Sequence, residues 1–250
     1  QNHILTFITE TVDAAGADKT VLGISGGIDS TLVSYLAVEA VSEDRVHGLI
    51  LPGKGSTEEN MNDAEQLAQN LGISYDIWEI NSVTNELLKL YSEAKNDKVA
   101  VGNARARVRG VLNYLVANHE NAIVLGTGNR TEYLLGYFTK YGDQAVDCNP
   151  IGNLYKQQVR QLARHMGVDE HLVTKTPAAE LWEDHTDEAE IGIDYDTIDA
   201  ILALHIDSHV SKTATANTLD ISEETIERVR EMYEQSQHKR SMPPAPEPLF

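Results

Sequence analysis

A short glycine-rich turn near the start of the chain constrains its fold more than any other feature. The turn is Ser25-Gly26-Gly27-Ile28-Asp29-Ser30, and it joins a short apolar run, 21–24, to a run, 31–36, that is typical of a helix. Adjacent glycines let backbone N–H groups converge on an anion, the serine hydroxyls add donors, and the following helix points its positive end at the same place. The sequence therefore predicts a strand, a phosphate-binding loop and a helix in that order.

This loop differs from the two commoner glycine-rich phosphate loops. No lysine follows the glycines, as it would in a Walker A loop, and the chain contains no G-x-G-x-x-G pattern. Asp29 would repel a bare phosphate, because both carry negative charge, unless a divalent cation lies between them. The loop therefore also predicts Mg²⁺, whereas an ordinary strand-to-helix turn is the alternative that its spacing and context disfavour.

Short apolar runs alternate with amphipathic stretches along much of the chain. Periodicity predicts strands at 20–25, 45–51, 73–79 and 121–126. It predicts helices at 1–16, 30–42, 58–71, 82–94, 103–118, 154–166, 195–207 and 221–237. This alternation favours one α/β domain, 1–250, with a doubly wound, mainly parallel sheet and helices on both faces. Ligands bind at the carboxyl ends of such strands, and the glycine-rich loops after Ile24 and Leu125 fall there.

The net charge of the chain limits the kinds of partner that it can bind. The 250-residue chain has 39 acidic against 20 basic residues and a formal net charge of −19, so it would repel a nucleic-acid backbone. The same acidity fits a surface adapted to high salt, with a merely acidic protein as the alternative. No apolar run is long enough to span a bilayer, so no membrane partner is expected. The single cysteine, Cys148, cannot form an internal disulfide, which favours a cytoplasmic protein in which Cys148 fills space in the core.

A second candidate loop follows the strand predicted at 121–126. Its sequence is Gly126-Thr127-Gly128-Asn129-Arg130-Thr131-Glu132, which places Glu132 about one turn into the next helix. A site for Mg²⁺ and a triphosphate needs more than one carboxylate, so Glu132 is the candidate partner of Asp29. A solvated helix residue is the alternative for Glu132 taken alone.

Basic residues cluster in two further segments. In 136–143, GYFTKYGD, aromatic residues flank Lys140 and offer either a stacking face beside a cation or a packed aromatic turn. The segment 102–109, GNARARVR, contains three arginines. On a helix, Arg105 and Arg109 share one face and Arg107 points nearly opposite, so the three cannot bind one anion together.

Three other features leave alternatives open. The segment 175–192 is acidic and aperiodic, and either a solvated connection or a mobile lid over the nucleotide fits it. Four prolines in the tail, 241–250, predict an extended chain. His205 and His209 have the i, i+4 spacing of a metal pair, but without a third ligand in view a zinc site is not expected.

Seven short motifs are spread over the whole chain. They are GISGGIDS at 23–30, GNxxARxR at 102–109, GTxxxxE at 126–132, GYFTKYGD at 136–143, DxNP at 147–150, DEAEIGIDYDTID at 187–199 and QHKR at 237–240. The first resembles the loop of the N-type ATP pyrophosphatases, and all seven together resemble the ammonia-dependent NAD synthetases of that superfamily. Gly128-Asn129 stands where bacterial relatives have Asp-His and is similar to the archaeal variant. The resemblance implies the adenine nucleotide alpha-hydrolase-like fold.

The resemblance also implies a role for each matched residue. Those that would bind ATP are Gly23, Ile24, Ser25, Gly26, Gly27, Ile28, Asp29, Ser30, Thr127 and Lys156. Those that would bind deamido-NAD are Arg107, Lys140, Asp147, His238 and Lys239. Asp29 and Glu132 would hold Mg²⁺. At the lid position where the family has a Ser or Thr that contacts ATP, this chain has Ala178, which lacks the hydroxyl.

The implied reaction is the ATP-dependent amidation of deamido-NAD to NAD, with AMP and pyrophosphate as products, through an adenylated intermediate. A glutamine-hydrolysing version would need a catalytic cysteine and an extra domain, so free ammonia is the expected nitrogen donor. The resemblance further implies a homodimer that binds the dinucleotide in a shared cleft. Two alternatives are the ATP-cleaving domain of a GMP synthetase or tRNA-thiolating enzyme, and a non-catalytic adenine-nucleotide sensor. FTKYGD and HKR count against the first, and the two metal carboxylates count against the second.

Overall fold

The computed structural model describes residues 1–175 and 191–247, and a parallel sheet lies at the centre of this part of the chain. In its register, Val21 lies opposite His47 on one side and Val124 on the other. The strands are β1 (Lys19–Gly23), β2 (Val46–Ile50), β3 (Ser74–Ile77) and β4 (Ala122–Val124), in the order β3-β2-β1-β4. The order of the strands therefore reverses between β1 and β4.

Helices and short turns connect the strands. The helices are α1 (Asn2–Ala15), α2 (Ile28–Val41), α3 (Glu58–Leu71), α4 (Asn81–Leu90), α5 (Lys98–Glu120), α6 (Arg130–Leu135), α7 (Lys156–His165), α8 (Glu170–Thr174), α9 (Tyr195–Ile201), α10 (Lys212–Leu219) and α11 (Glu223–Gln235). Shorter elements are the 3₁₀ turns Glu43–Arg45, Ser92–Asn96 and Gln237–Lys239 and the π-helical turn Leu202–Asp207. The side chains of Thr57, Asp97 and Asp194 cap α3, α5 and α9 by accepting hydrogen bonds from their first turns.

Alternate side chains of β1 enter two different cores, so both faces of the sheet are covered. Leu22 packs in a core with α1, α2, α3 and α7, where Leu32 is fully buried. Val21 packs in the other core, with Ile80 and with Val108 of α5. Successive strand residues point to opposite faces, which explains why both are apolar here. The structure confirms the predicted α/β fold with a doubly wound parallel sheet.

A third apolar cluster joins α6 to the helices near the end of the chain. Leu134 of α6 packs with Ile198 of α9, Ala216 of α10 and Ile226 of α11. Because α6 also carries Glu132, this cluster ties the C-terminal helices to one of the predicted site residues.

Cys148 continues the sheet beyond β4 as a single bridge. It pairs in parallel with Leu125 and packs, partly buried, against the main core. Burial raises the pKa of its thiol to about 11, with a smaller effect from the charge of Asp147. These properties are those of a space-filling cysteine rather than a reactive one.

The largest differences from the predicted helices concern three boundaries and two short helices that were not predicted. α5 begins at Lys98 rather than at 103, because Asp97 caps its first turn. The helix predicted at 82–94 ends at Leu90, and the one predicted at 195–207 changes to π geometry after Ile201. The periodicity does not predict α8 or α10, which have five and eight residues and are too short to show a clear helical period.

Most of the segment 175–192 and the end of the tail lie outside the described residues. The predicted lid, which includes Ala178, therefore stays a prediction, and so does the single domain 1–250. Residues 241–247 contain neither helix nor strand, as their prolines predict. None of the helices in 1–175 and 191–247 is both long and apolar enough to cross a membrane.

Candidate active site

A cleft of about 480 Å³ opens at the carboxyl ends of the strands, beside the point where the strand order reverses. Ser25 and Gly27 line it after β1, Leu51 and Pro52 after β2, and Thr127 after β4. Open parallel sheets bind ligands at this position, and the volume lies in the range of small-molecule sites. Both glycine-rich loops therefore reach one cleft, at the edge of the sheet that their positions predict.

The first glycine-rich loop is held in a compact turn by its own serines. Ser25 Oγ lies 3.0 Å from Ser30 Oγ and accepts a hydrogen bond from the Gly27 N–H at 3.2 Å. Gly26 has a φ of +78°, and a Cβ there would lie 2.1 Å from the carbonyl oxygen of Asn60. Only glycine fits that position. The serine hydroxyls shape the loop, and the first turn of the 14-residue helix α2 forms part of the cleft wall.

The two predicted metal carboxylates lie on either side of one buried lysine. Lys156 Nζ is 2.5 Å from Asp29 Oδ2 and 3.6 Å from Glu132 Oε1. The Lys156 side chain is 2% exposed, while those of Asp29 and Glu132 are 17% and 19% exposed and line the cleft. Removing a charge from water is costly unless an opposite charge accompanies it, so these carboxylates stabilise the buried ammonium. The structure thus brings three predicted site residues into one charged cluster.

Asn129 joins the two carboxylates, a role that the sequence analysis missed. Its Nδ2 donates to Asp29 Oδ1 at 2.9 Å, and its backbone N–H donates to Glu132 Oε2 at 3.2 Å. In return, Asn129 Oδ1 accepts from the Glu132 N–H at 3.0 Å, so the two residues form the capping box of α6. Asn129 is fully buried. The Asn-x-x-Glu spacing is the signal that predicts this cap.

The oxygen atoms of Asp29 and Glu132 fit the predicted Mg²⁺ ion. Carboxylates are the hard oxygen ligands that Mg²⁺ prefers, and it commonly takes one or two of them together with phosphate oxygens. The ammonium of Lys156 already lies within 3.6 Å of both groups, so the cluster is built around a cation. The chemistry of the donors therefore matches a magnesium–phosphate site.

Arg109 and Lys239 add positive charge to the cleft wall. Arg109 Nε donates to the carbonyl oxygen of Leu51 at 2.9 Å. Lys239 Nζ donates to the carbonyl oxygens of Gly136 and Phe138 at 2.6 and 2.8 Å. The structure describes all five residues predicted to bind deamido-NAD. Of these five, Lys239 alone lines this cleft.

Asp143 lines the same part of the cleft with a carboxylate. It accepts hydrogen bonds from the Thr139 N–H at 3.0 and 3.1 Å. Protein atoms surround the carboxyl group on most sides, and this desolvation raises its pKa, while the Thr139 hydrogen bonds and the charge of Lys239 oppose the shift. Asp143 therefore holds a proton more readily than an ordinary aspartate.

A chain of contacts links three other predicted deamido-NAD residues on the surface. Arg107 Nη2 donates to the carbonyl oxygen of Lys140 at 3.3 Å, and Lys140 Nζ donates to that of His238 at 2.6 Å. Arg107 and His238 are exposed. Arg107, Lys140 and His238 thus form a basic surface strip and do not line the cleft, although neighbours of Lys140 in 136–143 do.

Asp147, the last predicted deamido-NAD residue, is bound to protein groups. Its Oδ1 accepts from the Tyr114 hydroxyl at 2.9 Å and its Oδ2 from the Val124 N–H at 2.7 Å. Burial and this hydrogen bond raise the pKa of Tyr114. In this structure Asp147 links α5 to β4, and its role towards a dinucleotide stays a prediction.

The arginines of α5 point in the directions that the helical period predicts, with Arg105 and Arg109 on one face and Arg107 on another. A Cβ at Gly53 would lie 3.4 Å from Arg109 Nη2 and 3.5 Å from Arg105 Cδ, so these two side chains approach the same residue. Arg107 is exposed on another face.

The histidine pair lies apart from the cleft. His205 Nδ1 is 2.8 Å from the carbonyl oxygen of Val210, and His209 adopts a positive φ of 55°. Among the described residues, the group with metal-ligating proximity is Glu59, Asp63 and His171. Lys175 already forms ion pairs with the two carboxylates of that group.

The central parallel sheet and the glycine-rich loop after β1 place the protein in the class of adenine nucleotide alpha-hydrolase-like folds. Two solved structures agree. An NMN synthetase from Francisella tularensis has a TM-score of 0.86 and 32% identity, covering 100% of this chain and 97% of its own. An NH3-dependent NAD synthetase from Campylobacter jejuni has a TM-score of 0.83 and 31% identity, covering 98% and 96%.

The sequence comparisons define the family within that class. The family model described as NAD synthase matches residues 1–243. An NH(3)-dependent NAD(+) synthetase from Halobacterium salinarum is 58% identical over 246 residues, which are 98% of this chain and 92% of that relative. The chain therefore belongs to the NAD synthase family.

Proposed function

We propose that this protein catalyses the ATP-dependent amidation of deamido-NAD by ammonia to give NAD, AMP and pyrophosphate. The nicotinate carboxylate attacks the α-phosphorus of ATP, and pyrophosphate leaves. Ammonia then attacks the carbonyl carbon of the mixed anhydride, AMP leaves, and one proton is lost. Membership of the NAD synthase family and the name of the Halobacterium relative support this reaction.

The observation that carries the proposal is the position of the anion loop beside the Asp29–Lys156–Glu132 cluster in one cleft. Phosphoryl-group chemistry of this kind needs positioning and charge neutralisation more than covalent help from the protein. The start of α2 and the ammonium of Lys156 supply positive charge where pyrophosphate would leave. No nucleophilic side chain is required.

We infer that Asp29 and Glu132 hold a Mg²⁺ ion, which would neutralise phosphate charge when bound. Asn129 and Lys156 position these two carboxylates and balance their charge. Asn129 orients both carboxylates through its amide and its backbone N–H. Lys156 offsets their charge in the absence of substrate, and Thr127 lines the same cleft at the carboxyl end of the neighbouring strand β4.

We also propose that two copies of the chain form a homodimer. Leu87 and Leu90 of α4 are 44% and 85% exposed, and Val111 and Leu115 of α5 are 68% and 62% exposed. The two helices contact each other, and exposed apolar side chains grouped on neighbouring helices are typical of a protein interface. Arg107 precedes Val111 by one helical turn, so a partner on this face would also cover the basic strip.

The test is an assay of purified protein with ATP, Mg²⁺, ammonium and deamido-NAD, with every nucleotide product identified. We expect NAD, AMP and pyrophosphate in equal amounts. ADP and phosphate as dominant products would contradict the proposal. Omitting deamido-NAD provides the control for a nucleotide sensor, which would bind ATP without forming AMP in either mixture.

A second arm of the assay replaces deamido-NAD by nicotinate mononucleotide, because one of the similar solved structures is that of an NMN synthetase. We expect the dinucleotide to react with the larger kcat/KM. A larger value for the mononucleotide would keep the chemistry and change the substrate.

A further inference from the structure

Asp199, on α9, is a buried carboxylate that the proposed chemistry does not use. It is 7% exposed. Its Oδ2 accepts from the Gln157 N–H at 2.8 Å, and its Oδ1 accepts from the Thr131 hydroxyl at 2.5 Å. Gln157 lies in the first turn of α7, where backbone N–H groups have no partner within the helix and a negative charge is favoured. Asp199 therefore holds the start of α7 in place.

Thr131 extends this network to Lys156. Its hydroxyl donates to Asp199 and accepts from the Lys156 N–H at 3.0 Å. Thr131 is fully buried and lies next to Glu132 on α6. One hydroxyl thus connects the backbone of Lys156, the helix that carries Glu132, and α9.

Tyr195 contacts the other end of Lys156. Its ring centroid lies 5.3 Å from Lys156 Nζ, and the residue is 1% exposed. A cation over an aromatic face is stabilised by the ring's quadrupole, and more strongly when water is excluded. Tyr195 and Asp199 are four residues apart on α9, so they share one face of that helix.

We propose that Tyr195 and Asp199 are positioning residues that hold the Lys156 ammonium between Asp29 and Glu132, and thus beside the departing pyrophosphate. The inference deepens the proposed function and rests on it. Both residues lie in the described part, 191–199, of the motif DEAEIGIDYDTID. A misplacement of about 1 Å can cost about 100-fold in rate, so the support behind the lysine is expected to matter.

The first variant is Asp199→Asn, which keeps the shape of the side chain. Its new NH₂ group cannot accept a hydrogen bond, so either the Gln157 N–H or the Thr131 O–H loses its acceptor, and the negative charge at the start of α7 is removed. We expect kcat to fall at least about 10-fold, with the KM for deamido-NAD changed less than about 3-fold. The matched control is Asp13→Asn, an exposed carboxylate on α1, which should retain wild-type kcat.

A double-mutant cycle separates positioning of Lys156 from a general structural effect. If Asp199 acts through Lys156, adding Asp199→Asn to a Lys156→Met variant lowers the residual rate of AMP formation less than about 2-fold. Independent, multiplying effects of the two changes would overturn the proposal. Wild-type protein without amidation activity would refute the proposed function, whereas an active wild type with an unaffected Asp199→Asn variant would overturn this inference alone.

A second pair of variants tests the network without changing the buried carboxylate. Thr131→Ser keeps the hydroxyl, and Thr131→Val keeps the shape and removes it. We expect Ser to retain kcat within about 3-fold of wild type and Val to lose at least about 10-fold, with both folded by circular dichroism. Equal rates for the two variants would contradict the role of the hydroxyl, whatever the behaviour of Asp199→Asn.

Discussion

Asp29 and Glu132 are the residues on which the proposed reaction depends most. They lie in the first turns of two helices far apart along the chain, α2 and α6, yet each lies within 3.6 Å of the same ammonium and both are oriented by Asn129. Any change in either carboxylate therefore alters the charge that phosphate and Mg²⁺ meet in the cleft.

We expect Asp29→Asn and Glu132→Gln each to lower turnover at least about 100-fold, because each removes one strong electrostatic contact and keeps the shape of the side chain. The measurement is AMP formation at saturating Mg²⁺, with thermal unfolding as the control for an intact fold. A folded variant with a nearly wild-type rate would show that its residue is not a ligand of the metal.

Glu120 shows how a single residue away from the cleft contributes to the pH dependence of stability. Its carboxylate contacts Lys19 Nζ at 2.9 Å and His47 Nδ1 at 2.8 Å. Burial acts to raise the pKa of Glu120, but the hydrogen bonds from Lys19 and His47 outweigh it, so the pKa lies below its usual 4.5. The stabilisation is therefore present above pH 4.5 and is lost as the pH falls through the lowered pKa.

We expect Glu120→Gln to lower the free energy of unfolding by about 1 kcal/mol at neutral pH, because the side chain is only partly buried and its hydrogen bonds are charged. The difference from wild type should shrink as the pH falls below 4.5 and through the lowered pKa, because the wild-type carboxyl then becomes protonated. Urea unfolding across this pH range measures it, with the exposed Glu224→Gln as the control. A constant difference at every pH would contradict the assigned cause.

At the scale of elements, α5 presents side chains to three different environments. Val108 packs in the core, Arg109 lines the cleft, and Val111 and Leu115 are exposed. A helix turns 100° per residue, so one 23-residue helix can present a separate stripe to each. This arrangement places the proposed dimer face directly beside the substrate cleft.

The proposed interface predicts that Val111→Glu converts a dimer into monomers, because a carboxylate would be buried against apolar side chains. Light scattering should give a wild-type mass of about twice the 27.6 kDa of one chain and a variant mass close to one chain. Asn217→Glu on the exposed face of α10 is the control and should leave the mass unchanged. A monomeric mass for active wild-type protein would overturn the shared cleft.

At the scale of the whole molecule, the net charge of −19 dominates the response to salt. Like charges repel more strongly in the compact state than in the unfolded chain, and salt screens this repulsion. The Debye length falls from about 10 Å at 0.1 M to about 3 Å at 1 M salt. Stability is therefore expected to depend on ionic strength more than in a protein of balanced charge.

We expect the thermal unfolding midpoint to rise steadily when KCl increases from about 0.1 to about 1 M. Differential scanning calorimetry measures the midpoint. A variant with amides at the exposed residues Glu10, Asp13 and Glu231 should respond less, because it has less repulsion to screen. A midpoint that falls with KCl, or an equal response in both proteins, would exclude self-repulsion as the cause.

Local sequence was sufficient for the parts of the molecule whose physics is local. The helix predicted at 58–71 has those bounds in the structure, because its cap Thr57 and its C-terminal Gly72 are adjacent signals. The position of the glycine-rich loop at the end of β1 was also predictable, because the signals for the strand, the tight turn and the helix lie within a few residues of one another. α10 is too short for its period to be visible, and the structure alone revealed it.

The sequence by itself was sufficient for the fold class and for the positions of the glycine-rich loop, Asp29 and Glu132 at the carboxyl ends of β1 and β4, because strand–helix alternation and short motifs carry that information over a few residues. The roles of that loop and of the two carboxylates toward phosphate and Mg²⁺ stay predictions. The tertiary structure decided that Lys156 lies between Asp29 and Glu132 and that Asp199 supports it. Those contacts join residues far apart along the chain. They form only when the sheet and the packing of α9 on α7 bring separate elements together, so no local pattern encodes them.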